Sequence, residues 1–77
     1  MGGGTEKEIL KILEIAMKRE VAAQDLYGEG AKKAERPEVK IIFEQLQAEE
    51  EKHEALLKDL YRQIKKRLGL KILSEDD

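Results

Sequence analysis

The sequence predicts an all-α fold, an antiparallel two-helix hairpin that packs against a second copy of itself to complete a four-helix bundle. Three observations predict it. Gly, Pro and Ser lie almost wholly at the ends and at one central point, so the 77 residues divide into two long stretches. Each stretch carries apolar residues at alternating steps of three and four, the spacing of one helix face. Those apolar stripes are wider than two helices can cover by packing only on each other.

Residues 1–77 are read as a single domain. A chain this short rarely buries enough apolar surface for stability without metal, disulfides or self-association. Met1 to Gly4 is expected to be a flexible lead. Thr5 followed by Glu8 has capping-box spacing, in which each side chain satisfies a free backbone N–H, and opens helix one over about residues 6–34. Gly28 and Gly30 each cost about 1 kcal/mol relative to alanine inside a helix, so helix one is expected to fray or bend near its end. Pro37 suits the first turn of a new helix, where its missing N–H has no partner to lose, so the chain reverses over about residues 35–37. Helix two follows over about residues 38–68, and a short tail occupies 69–77. Gly69 takes the left-handed conformation that ends helix two, with Leu70 folding back on the last turn.

A turn this short forces the helices antiparallel. The predicted seam of helix one is Ile9, Leu13, Ala16, Glu20, Ala23 and Tyr27, flanked by Leu10, Met17 and Val21. That of helix two is Phe43, Leu46, Glu50, His53, Leu57, Leu60 and Ile64, flanked by Ile42, Leu56 and Tyr61.

Composition narrows the function classes. With no cysteine, disulfides, thiolate clusters and cysteine nucleophiles are excluded. Fifteen basic against 17 acidic side chains leave a net charge of -2 and no electrostatic footprint for nucleic acid. No apolar run approaches membrane-spanning length and no signal segment opens the chain, so a soluble, cytoplasmic protein is expected, with neither nucleic acid nor membrane as partner.

The informative interruptions of the seams are Glu20, Glu50 and His53, all good ligands for iron, manganese or zinc. Glu50 and His53 are three apart and project from one helix face. Counting from the turn at 1.5 Å per residue places Glu20, Glu50 and His53 roughly 24, 21 and 25 Å away, one level along the hairpin. A carboxylate buried in an apolar seam costs several kcal/mol unless compensated, and no Lys or Arg occupies these seam positions. A cation is the simplest compensation. Two hairpins related by a two-fold axis would bring four glutamates and two histidines to two divalent metals. The bland alternative for Glu50 and His53 is an exposed helical Glu and a half-buried His; Glu49, Glu51 and Glu54 are read as a solvated face, or in a cage assembly as an iron entry or secondary site, and Gln24 is read as a rim residue. Tyr27 has two readings, a core aromatic near the turn and a residue behind the ligands that hydrogen-bonds a carboxylate or passes a proton or electron.

The run Glu20-Val-Ala-Ala-Gln-Asp-Leu-Tyr27, together with Ala48-Glu-Glu-Glu-Lys-His53, resembles one half of the ferritin-like fold of rubrerythrins. There a glutamate is followed seven residues on by tyrosine, and the next helix carries Glu-x-x-His. It resembles more closely the encapsulated ferritins, whose short chains supply one Glu and one Glu-x-x-His and complete a di-iron ferroxidase centre only across a subunit interface. The resemblance covers roughly residues 9 to 64. It implies a di-iron protein with iron as cofactor, two per hairpin pair, held by Glu20, Glu50 and His53, in a homodimer or a higher even-numbered homo-oligomer. It implies oxidation of Fe(II) by oxygen or peroxide. Manganese and zinc fit the same donors, and zinc, having no redox chemistry, would leave a non-catalytic metal-stabilised oligomerisation module. Rubrerythrins carry the motif twice and usually add a cysteine-ligated iron domain, so a rubrerythrin-like peroxide reductase on this chain needs an outside reductant. Encapsulated ferritins continue into a targeting tail. Leu70 to Leu73 would then be a docking peptide for a shell protein, with the chain inside a compartment, but a helix end followed by a solvated acidic tail is the favoured reading.

Overall fold

The computed structural model describes residues 2–69, so the contact expected of Leu70 and the docking role of Leu70 to Leu73 lie outside the described residues. Two helices account for almost all of it, α1 over Gly2–Lys33 and α2 over Pro37–Arg67. They lie antiparallel in a sheet-like slab of 52 × 26 × 13 Å. The smallest dimension is about the diameter of one helix with its side chains, so the hairpin is one helix thick and both broad faces are open.

The turn is built as the proline dictates. Arg36, ahead of Pro37, is extended with φ -96 and ψ 130, the region that a following proline favours. Its carbonyl accepts the first bonds of α2 from Val39 N at 3.0 Å and Lys40 N at 3.1 Å. Its guanidinium reaches Glu38 Oε2 at 2.8 Å. At the far end Gly69 has φ 74, as a helix-ending glycine should, and its N–H donates to the Lys66 carbonyl at 3.0 Å.

Three local expectations are corrected. Residues 2–4 are helical, so Thr5 lies inside α1 and is not an N-cap, and the glycine lead is the first turn of the helix. Extension onto a formed helix adds one hydrogen bond per residue fixed, which lets even glycines join. Helix α1 also runs without interruption through Gly28 and Gly30. Gly30 is there because a Cβ would sit 2.8 Å from Phe43 Cε1, so the missing side chain makes room for the ring. The third correction concerns rotation about the α1 axis. Leu10, expected on the flank, is buried at 6% exposure, whereas Ile9, expected in the seam, is 37% exposed.

The inter-helix contact changes character along its length. Leu10, Leu13 and Ile64 form the buried cluster at the open end, with Leu57, Tyr61 and Leu68 packed around it. Tyr61 OH donates to Glu14 Oε2 at 2.8 Å, and Arg67 Nη1 reaches Glu6 Oε2 at 3.3 Å, tying the same end. At the turn end Ala31 is buried, and Tyr27 and Phe43 meet with ring centroids 6.3 Å apart. Between these apolar ends the contact is polar. On one side the slab leaves Ile9, Ile12, Ile42, Leu46, Leu56 and Leu60 exposed by 37 to 69%. Among the described residues no helix is long and apolar enough to cross a membrane.

Candidate metal centre

The polar middle of the hairpin contains Glu20 from α1 and Glu50 and His53 from α2. One donor atom from each lies within 4.8 Å of the other two. Helix geometry produces this convergence. Glu50 and His53 are one turn apart on α2, and antiparallel pairing brings Glu20 to their level. His53 Nδ1 stands 3.0 Å from Glu50 Oε1 and 3.6 Å from Glu20 Oε1. The carboxylates are mostly covered, with side-chain exposures of 22% for Glu20 and 19% for Glu50, while His53 at 49% stands at the edge of the slab.

The protonation pattern is that of two carboxylates crowded beside one imidazole. Hydrogen bonding to Glu50, with burial and the Glu50 charge added, raises the Glu20 carboxyl above its ordinary value, against the pull of His53. The same Glu20 contact, then the bond to His53, lowers Glu50, with burial opposing. The bond to Glu50 raises His53, and the Glu50, Glu20 and Glu49 charges add to it against desolvation. No Lys or Arg is among these influences, so His53 is the basic group that acts on both acids. Glu20 Oε1 is buried with no hydrogen-bond partner, the costliest condition for a carboxylate oxygen.

These residues fit a divalent transition metal. Donors sharing one ion through bonds of about 2.1 Å are at most about 4.2 Å apart, so the cluster closes on an ion with side-chain shifts below about 1 Å. The ion would take the position of the protons and would satisfy Glu20 Oε1. Two carboxylates and an imidazole suit iron, manganese or zinc. With Nδ1 turned to the carboxylates, His53 presents Nε2 outward, free to donate its N–H to a neighbouring acceptor.

The profile of the rubrerythrin family matches residues 11–76, most of the chain. The chain belongs to the rubrerythrin family. No curated protein and no solved structure matches it. Membership in the rubrerythrin family makes it a ferritin-like protein, a superfamily of di-iron carboxylate sites, and the Glu/His cluster is where this rubrerythrin-family chain can hold metal.

The structure thus brings together all three residues singled out as ligands. Tyr27 is not with them. Its ring packs against Phe43, about two helical turns from Glu20 toward the chain reversal. Two further residues belong to the surroundings of the cluster. Gln24 is no rim residue, because its Nε2 donates to Glu54 Oε1 at 2.8 Å and lies 3.4 Å from the Glu50 carbonyl. Glu54 is half-buried and not solvated, and the Gln24 bond, then Lys58, lowers its pKa against burial. The spacing does not predict this contact, because four residues onward from Glu20 and from Glu50 lead in opposite directions along an antiparallel pair, and only the reach of the two long side chains brings them together.

Proposed function

We propose that two hairpins pair through their exposed apolar faces and hold two metal ions between them, one set of Glu20, Glu50 and His53 from each chain, and that the centre oxidises Fe(II). The observation that carries this is the place of the cluster, at the edge of a broad uncovered apolar face with His53 half-exposed toward it. Ile42, Leu46, His53 and Leu60 share one side of α2, and Ile9, Ile12, Ala16 and Ala23 share one side of α1.

The chain's own residues do three things at this site. Glu20 and Glu50 balance the charge of bound Fe(II), His53 gives each ion one nitrogen donor, and Glu20 and His53 release their protons on loading. Fe(II) is the substrate: two ions give one electron each, and oxygen accepts both with two protons to leave as hydrogen peroxide. With peroxide as oxidant the same two electrons and two protons give two waters, and membership in the rubrerythrin family favours this second use of the site.

Anaerobic addition of Fe(II) followed by air, with an oxygen electrode and near-ultraviolet absorbance, tests the assignment. One iron per chain in an even-numbered oligomer is expected, with oxygen uptake lost in Glu20→Ala while helicity persists. A folded, iron-loaded protein that consumes neither oxygen nor peroxide would leave a metal-stabilised oligomerisation module.

A further inference from the structure

Building on the metal centre proposed above, we infer that Gln24 is a positioning residue that fixes the Glu20 to Glu50 separation by clamping α1 to α2 across the level of the donors. Its amide nitrogen donates to Glu54 Oε1 at 2.8 Å and approaches the Glu50 carbonyl at 3.4 Å. Both partners are acceptors, so chemistry fixes which way the amide points. In return Gln47 Nε2 donates to the Gln24 carbonyl at 3.1 Å. Residue 24 is therefore tied through side chain and main chain to three positions of α2 that bracket Glu50. Glu54 is itself held by Lys58 Nζ at 3.5 Å.

The clamp matters because no large buried side chain lies beside the donors. Ala16 and Ala23, the residues that flank Glu20 along α1, are small and half-buried. The large core side chains Leu10, Leu13 and Ile64 are at the open end, and Phe43 is at the turn. Near the cluster, the charge-assisted bond from Gln24 to Glu54 is a directional restraint between the helices that does not involve the donor atoms themselves. Partners behind metal ligands typically change metal affinity about tenfold to a hundredfold when removed.

Co(II) binding to the full chain, read by its visible ligand-field bands and titrated affinity, tests this. Q24E sets a carboxylate against Glu54, and the double substitution Q24E/E54Q reverses the direction of the bond and restores it. Gln24→Met removes the donors without repulsion, should Q24E fail to fold. Expected are a roughly tenfold to hundredfold weaker affinity and shifted bands in Q24E or Gln24→Met at unchanged helicity, and recovery of parental bands and affinity in Q24E/E54Q. Parental binding by folded Q24E or Gln24→Met, or a double variant no tighter than Q24E, overturns the positioning role and leaves the metal site standing. A parent that takes up no Co(II), like Glu20→Ala, overturns both.

Discussion

Ile42→Lys separates the hairpin from its pairing. In the single hairpin Ile42 is 55% exposed, so its replacement takes little from the folded chain. Burying an isoleucine fully contributes about 1.5–3 kcal/mol, so covering the remaining half contributes about 1–1.5 kcal/mol per copy, and twice that in a symmetric pair. A lysine at the same place adds a cost of several kcal/mol per ammonium taken from water, reduced where the long side chain reaches back to solvent. The pair should therefore lose about 4 kcal/mol or more, which is about a thousandfold in its dissociation constant. Ile41→Lys is the matched control. Ile41 is 52% exposed, almost as much as Ile42, but the next residue on a helix points about 100° away, to the side opposite the cluster. Sedimentation equilibrium over a range of concentrations, with and without Co(II), measures the association. Ile42→Lys should remain monomeric where the parent and Ile41→Lys associate. If Ile42→Lys associates as tightly as the parent, or Ile41→Lys weakens association equally, the pairing face has been wrongly chosen.

Two further outcomes follow from the packing and the titrations. Gly30→Ala gains about 1 kcal/mol of helix propensity but drives a methyl into Phe43, an overpacking cost of about 1–3 kcal/mol, so urea unfolding should show net destabilisation that Phe43→Leu relieves. Because Glu20 and His53 both hold protons above their ordinary values of 4.5 and 6.5, metal must displace those protons, and Co(II) affinity should rise with pH through and above both values. The metal-free hairpin behaves differently. The depressed Glu54 contributes stability that is present above 4.5 and lost as pH falls through its lower folded value, while the raised His53 contributes below 6.5 and loses that contribution as pH climbs through its folded value. Thermal melts of the apo protein across pH, compared with His53→Gln, check both signs.

Much of the site was legible because it depends on short-range geometry. Glu50 and His53 share a face by their spacing alone, and the distance of each from Pro37 brings Glu20 level with them once the chain reverses. Less legible was what surrounds them. The contacts of Gln24 with Glu54 and of Gln47 with the Gln24 carbonyl join residues more than 20 positions apart. A glutamine among charged neighbours carries no mark that distinguishes a clamp from a solvated side chain.

By itself the sequence determined two helices, the turn at Pro37, the left-handed stop at Gly69 and the common level of Glu20, Glu50 and His53, since helix periodicity and end signals are properties of neighbouring residues. Tertiary structure alone decided that Leu10 is inside and Ile9 outside, that Gly30 yields to Phe43, and that Glu20 has a buried oxygen without a hydrogen-bond partner. An apolar stripe broad enough for two contacts does not say which edge meets the other helix. That choice is made by the rotation of each helix about its axis, which only the packed pair fixes.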